Sequence, residues 1–200
     1  MTKTEQSRKA YNKKAGNYDD TYDGRVTRPL KQMMLDVVNV QQGQTVVDVA
    51  CGTGDFISAL SKKADINAYG IDIAEQMITV ASEKYKEVSF MVAPAVPLPF
   101  DSGSVDIITV SAAFHHFEDP RGFANECNRV LRSDGSVYIG EFHIPPIARR
   151  IMNLLIPFVR TGDVKIYSDA ELAEFFINAG FKTKIIRIDG PRIVMKCDKI

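Results

Sequence analysis

Val46-Val47-Asp48-Val49-Ala50-Cys51-Gly52-Thr53-Gly54 decides how the rest of the chain is read. Thr45–Val49 has the density of β-branched residues expected of a buried strand. Residues 53–63 then carry Phe56, Ile57 and Leu60 on one helical face and end on the cationic Lys62 and Lys63. Between strand and helix, Gly52 and Gly54 let the backbone bend sharply and let a ligand approach where a Cβ would stand in the way. The helix start leaves amide N–H groups pointing into the crevice. Eighteen residues after Gly54, a second strand over residues 67–73 carries Asp72 near its end. A carboxylate there can accept both hydroxyls of an adenosine ribose.

Two ligand classes suit a strand, a glycine turn, a helix and a distal acid: a dinucleotide, or S-adenosylmethionine (SAM). A dinucleotide fingerprint wants a third glycine three residues after Gly54, and that position is Ile57. Asp48 places negative charge ahead of the turn, which suits the ammonium of a methionine moiety and repels a pyrophosphate. These residues favour SAM.

Working outward, short apolar runs alternate with amphipathic ones. Residues 75–85 form a helix burying Met77, Ile78, Ala81 and Tyr85. Residues 88–92 and Val105–Ser111 are strands, and residues 123–131 form a helix. The Ser133-Asp134-Gly135 turn leads into a strand over residues 137–142. Such alternation implies a parallel sheet with helices on both faces. The end differs. Ser168-x-x-Glu171 is a capping box for a helix with Leu172, Phe175, Phe176 and Ala179 on its apolar stripe, closed by Gly180. Strands over residues 181–188 and 192–197 follow, joined only by Asp189-Gly190-Pro191. Parallel neighbours need a crossover of a dozen or more residues, so this pair is antiparallel. The expected fold is therefore α/β: a Rossmann-like, doubly wound, seven-stranded sheet, mostly parallel, with a reversed C-terminal strand.

Two hundred residues suffice for a single domain over 1–200 with its own core. Lys+Arg and Asp+Glu balance at 25 each, so no net field recruits nucleic acid. Cys51, Cys127 and Cys197 are too few and too scattered for a disulfide framework or a CxxC metal site. The polar start lacks a signal peptide's apolar core, and no run approaches the roughly 20 apolar residues of a spanning helix. A cytoplasmic protein without stable membrane insertion is expected.

At these residues the sequence resembles the class I SAM-dependent methyltransferases, particularly the small-molecule branch of the ubiquinone/menaquinone-biosynthesis type. VVDVACGTG is similar to their first motif, YGIDIAEQM to their ribose-acid and adenine-packing segment, and LPFDSGSVDIITVSAAFHHFEDP to the stretch through their fourth strand. NRVLRSDGSVYIGE resembles their helix–turn–fifth-strand element and YSDAELAEFFINAGF their closing helix. Tyr11-Asn12-Lys13-Lys14-Ala15 with Tyr18-Asp19 is similar to an N-terminal lid, here residues 1–29. Residues 143–167 fall where the family inserts a substrate cover. The resemblance implies SAM as cofactor, held by Tyr18, Asp48, Ala50, Gly52, Gly54, Asp72, Ile73, Met77, Ala95 and Ser111. It also marks a departure: an adenine-binding Asp of the family is replaced here by Pro94.

Methyl transfer from a sulfonium is an in-line displacement, and an enzyme mainly positions the partners and excludes water. His115 and His116 follow the fourth strand and His143 the fifth, at the active edge of such a sheet. His116 and His143 are the candidate bases, and no metal site is expected because no carboxylate or cysteine stands at ligand spacing beside them. The apolar residues 147–160 can form a wall for an apolar acceptor, or a core or dimer-packing helix. The expected function is methyl transfer from SAM to a small, apolar or aromatic molecule. The alternatives are an NAD-type dehydrogenase and a non-catalytic SAM-binding regulator.

Overall fold

The computed structural model describes residues 1–159 and 162–200. Its strands are β1 (Thr45–Val49), β2 (Asn67–Asp72), β3 (Ser89–Val92), β4 (Val105–Ser111), β5 (Leu131–Phe142), β6 (Phe181–Asp189) and β7 (Arg192–Lys199). They form one sheet in the order β3-β2-β1-β4-β5-β7-β6. The first five neighbours pair in parallel, while β7 runs antiparallel to both β5 and β6. This is the expected Rossmann-like sheet with its reversed end.

Pleating explains how the sheet builds two cores. Val46, Ile107 and Val194 pack towards α2 (Tyr22–Val37) and α3 (Asp55–Ser61), with Leu30, Met34 and Phe56. Their neighbours Val47, Ile108 and Met195 pack on the opposite face with Phe123 of α5 (Pro120–Val130) and Phe176 of α7 (Asp169–Asn178). Both faces are covered, so the central strands are mostly apolar rather than alternating. The capping box expected at Ser168 and Glu171 is present, and Gly180 has φ +88°. Among the described residues, no helix is long and apolar enough to cross a membrane.

One sequence expectation is corrected here. The turn at Ser133-Asp134-Gly135 does not precede β5. Leu131 already pairs with Val105, and the register resumes at Ile107 and Ser136, so the turn residues are an irregularity within the strand. Residue 29, the expected bound of the N-terminal lid, falls within a helix. α1 (Lys3–Lys14) and a 3₁₀ segment over Ala15–Asp20 precede Thr21, whose side chain caps α2. α2 then runs unbroken through Pro29 because Leu30, Met33 and Met34 anchor it against the sheet.

Gly54 caps α3 with φ +80°, and a Cβ there would lie 2.6 Å from Phe90 Cζ. The same ring packs closely on the backbone of Gly70, where a Cβ would lie 2.6 Å from Phe90 Cδ1, and a Cβ at Gly54 would also lie 3.1 Å from Ala81 Cβ. Left-handed strain and overpacking together should cost Gly54→Ala about 2–4 kcal/mol. Urea unfolding reads this directly, and an unchanged midpoint would show that Phe90 yields.

Candidate active site

The C-terminal ends of β1 to β4 open on a cavity of about 420 Å³, a size typical of small-molecule sites. The strand order reverses between β1 and β4, and ligands of open α/β sheets bind at such a point. Residues 49–52 form the wall after β1, Asp72 and Ile73 after β2, residues 93–96 after β3, and residues 111–113 after β4. Thr4, Ser7 and Tyr11 of α1 contribute, as do Tyr18, Lys31 of α2, and Met77 of α4 (Glu75–Lys84).

Of the residues expected around a donor, Tyr18, Ala50, Gly52, Asp72, Ile73, Met77, Ala95 and Ser111 share this wall. Asp72 Oδ2 accepts from Gly52 N at 2.9 Å and Oδ1 from Ala74 N at 2.8 Å. Burial pushes the Asp72 carboxyl upward despite these bonds. Each oxygen keeps a second lone pair. Among the described residues, Ser111 Oγ is buried with no hydrogen-bond partner, which leaves a polar atom available to a ligand. Ala50 and Ala112 hold left-handed backbone, with φ 57° and 52°, a cost of about 1–3 kcal/mol each that concentrates at functional sites. Cavity size, an orphaned hydroxyl and a buried carboxylate together fit an adenosyl ligand.

Asp48 and Gly54 do not reach the wall. Gly54 faces Phe90, as described above. Asp48 is 2% exposed and lies beneath the cavity floor, where Oδ1 accepts from Thr109 Oγ1 at 2.7 Å. Burial pushes its carboxyl up to about 7, against the Thr109 bond and nearby Lys31. Asp48 thus lies off the wall on which a direct partner of the ligand would stand.

The histidines separate. His116 lines the cavity, with Nε2 3.0 Å from the Tyr11 hydroxyl. Its Nδ1 lies 3.1 Å from Asp163 Oδ1 but lacks hydrogen-bond alignment. Burial, then neighbouring His115, pushes the ring down to about 4, so it is neutral at pH 7. Burial also raises Tyr11 and keeps its proton on. A carboxylate beside Nδ1 favours the proton there, leaving the Nε2 lone pair for the Tyr11 O–H. His115 turns away. Burial opposes its charge, but Glu141, with both oxygens 3.1 Å from Nδ1, wins and raises it. The Glu141 carboxylate also accepts from Phe114 N at 2.8 Å, which fixes the loop that presents His116. Asp163 corrects the expectation that no carboxylate stands near these rings: its ligand atom and those of His115 and His116 lie within 4.8 Å of one another. His143 is corrected too. It is absent from the cavity wall because Asp169, in the first turn of α7, holds its Nδ1 at 2.9 Å.

α1 is fastened over the cavity by two carboxylates. Glu75 pairs with Arg8 and accepts from Asn12 Nδ2 at 2.9 Å. Glu118 accepts from Lys3 N at 2.8 Å and Thr4 Oγ1 at 2.5 Å.

Residues 47–139, from β1 into β5, match the family described as a methyltransferase domain. The chain is 33% identical over 129 residues to the demethylmenaquinone methyltransferase of Thermotoga maritima, covering 64% of this chain and 56% of that protein. It is 34% identical over 148 residues to the enzyme of the same name from Staphylococcus aureus, covering 70% and 61%. Residues 47–139 therefore carry a methyltransferase domain. Geranyl diphosphate C-methyltransferase from Streptomyces coelicolor shares the fold, with a TM-score of 0.77 at 13% identity over 100% of this chain and 99% of that one. The matched region spans little more than half of the Thermotoga relative.

Within this methyltransferase fold, sequence reading missed Lys31, Glu118 and Asp119 on the wall. Lys31 sits beside Leu30, Met33 and Met34 on a helix whose pattern reports only its core face. Glu118 and Asp119 do stand in the motif stretch, but nothing in their spacing marks them.

Asp48 sets a pH dependence. The folded chain keeps its proton up to about pH 7, whereas the unfolded chain releases it in the ordinary carboxylate range, near 4. Stability from this group is present below the unfolded value and is lost as pH rises through about 7. Asp48→Asn should therefore be more stable than the parent above neutrality, by about 2–4 kcal/mol, and show a flatter profile between about pH 4 and 7. Parallel denaturation profiles would mean that Asp48 ionises normally.

Proposed function

We propose that this chain transfers a methyl group from SAM to a small apolar or aromatic acceptor, and that a quinol ring is the acceptor class. The observation carrying the reading is the cavity at the β1/β4 reversal, with its buried Asp72, glycine turn and orphaned Ser111 hydroxyl. The quinol class draws on relatives named demethylmenaquinone methyltransferases. Tyr18, Ala50, Gly52, Asp72, Ile73, Met77, Ala95 and Ser111 hold the donor, with Asp72 accepting from ribose hydroxyls. SAM supplies an electrophilic methyl on a sulfonium, with a neutral thioether as leaving group.

The chain's own part is placement and proton handling. α1 and the segment up to Thr21 act as a lid that excludes water. His116 is the base in this reading. Its neutral Nε2, already in contact with a hydroxyl, takes the proton that the acceptor loses. Ile57, which is fully buried, packs the helix where a dinucleotide site would need glycine.

Calorimetry is the primary test. SAM and S-adenosylhomocysteine should bind and NAD should not, and Asp72→Asn should weaken donor binding by about 1.5–3 kcal/mol. NAD heat without SAM heat would overturn the reading. With a short-chain, water-soluble demethylnaphthoquinol as acceptor, His116→Gln should lower kcat about a hundredfold or more while leaving donor affinity unchanged. Full turnover in that variant would remove His116 as the base. Donor binding with no turnover on any quinol would favour a regulatory SAM-binding protein instead.

A further inference from the structure

α6 (Pro146–Leu155) and the 3₁₀ turn after it present an unpartnered apolar stripe. Ile147, Ile151, Leu154, Leu155 and Phe158 are 76%, 55%, 72%, 56% and 84% exposed. Their spacing follows one helical face. The opposite face is anchored: Asn153 Nδ2 donates to Ile166 O at 3.0 Å, Asn153 Oδ1 accepts from Ile166 N at 2.8 Å, and Ile156 is buried. The stripe is thus held outward by a satisfied inner face. Contiguous apolar exposure of this kind marks an interaction surface.

Charge identifies the occupant. Residues 142–162 contain no Asp or Glu, and Arg149 and Arg150 make no ion pair among the described residues. A short helix with an apolar stripe beside cationic residues is suited to lie in a membrane interface, with apolar side chains at the acyl boundary and cations among anionic headgroups. A second copy of the chain fits less well. A ten-residue helix face measures roughly 15 by 10 Å, far below the ~800 Å² per partner of a stable interface. Two-fold pairing would also bring the arginines of both copies together.

We propose that α6 docks the protein on an anionic phospholipid surface. The inner side of the same segment adjoins the lid. Lys3 Nζ of α1 lies 3.4 Å from Ile156 O, and a Cβ at Gly162 would lie 2.6 Å from Ser7 Cα. Thr4, Ser7 and Tyr11 of the same helix line the cavity. Docking therefore sets the lid at the bilayer, from which an apolar acceptor enters. Only that last step rests on the proposed function.

Co-sedimentation of the full chain with vesicles tests the surface. Binding is expected to an equal mixture of phosphatidylcholine and phosphatidylglycerol, to be weak on phosphatidylcholine alone, and to fall with added salt. Leu154→Ser with Phe158→Ser should reduce it by roughly tenfold or more. Arg149→Glu with Arg150→Glu should abolish the preference for anionic lipid. All four sites face solvent or its edge, so melting temperature and S-adenosylhomocysteine affinity should hold in both variants. Affinity lost in the parent chain would sink the methyltransferase reading without touching the docking result. No vesicle binding by the parent, binding indifferent to both variants, or a stable dimer in sizing that Leu154→Ser dissolves would each overturn the docking proposal.

Discussion

One buried carboxylate ties the working edge of this sheet together. Asp72 stands at the end of β2, yet its oxygens are bonded to backbone N–H groups on either side: Gly52 in the turn after β1, and Ala74 before α4. Strand ends are where backbone groups lose their ladder partners, and two of them are satisfied here by one side chain. The turn after β1 is thereby held in its left-handed path, and α4 is positioned to bring Met77 to the cavity. The wall after β1, the wall after β2 and the first turn of α4 all take their places from this pair of bonds.

That edge carries the chain's unfavourable features together. Ala50 and Ala112 adopt backbone that alanine resists, Asp48 is buried without a cation in contact, and Ser111 keeps an unanswered hydroxyl. His116 is held neutral among polar neighbours. The two cores on either face of the sheet offset these costs, with Phe114, Phe123, Phe176 and Phe181 fully or almost fully buried on one side and Leu30, Met34 and Phe56 on the other. Stability resides in the layers, and function sits at their C-terminal rim.

The sheet was legible because apolar periodicity and turn residues report burial locally. Parallel pairing followed from the alternation of strands and helices, and the reversed end from a connection too short to cross over. Eight of the ten residues expected around a donor line the cavity, since most of them adjoin the strand ends. What escaped notice depends on partners distant in the chain. β5 begins at Leu131 because Val105 is there to pair with it, whatever the turn residues suggest. His143 looked like an active-edge histidine until Asp169 claimed its ring, and Asp163 reached the histidine pair only through the fold. Asp48 sits one residue before the wall, and strand alternation sends its side chain beneath the floor rather than into the cavity.

The placement of β7 has a consequence for synthesis. It is the last strand in sequence, yet it lies between β5 and β6 and bonds to both along most of its length. While the chain is being made, β5 has an open edge as soon as it forms, and β6 has no place in the sheet until β7 arrives. The cavity end of the sheet can assemble on the ribosome from residues already out of the tunnel. The other half must wait, with the backbone of β5 unpaired on that side, until Lys199 has emerged. A nascent chain stalled just short of that point would present an apolar strand edge to whatever is nearby, the kind of surface that holding chaperones recognise.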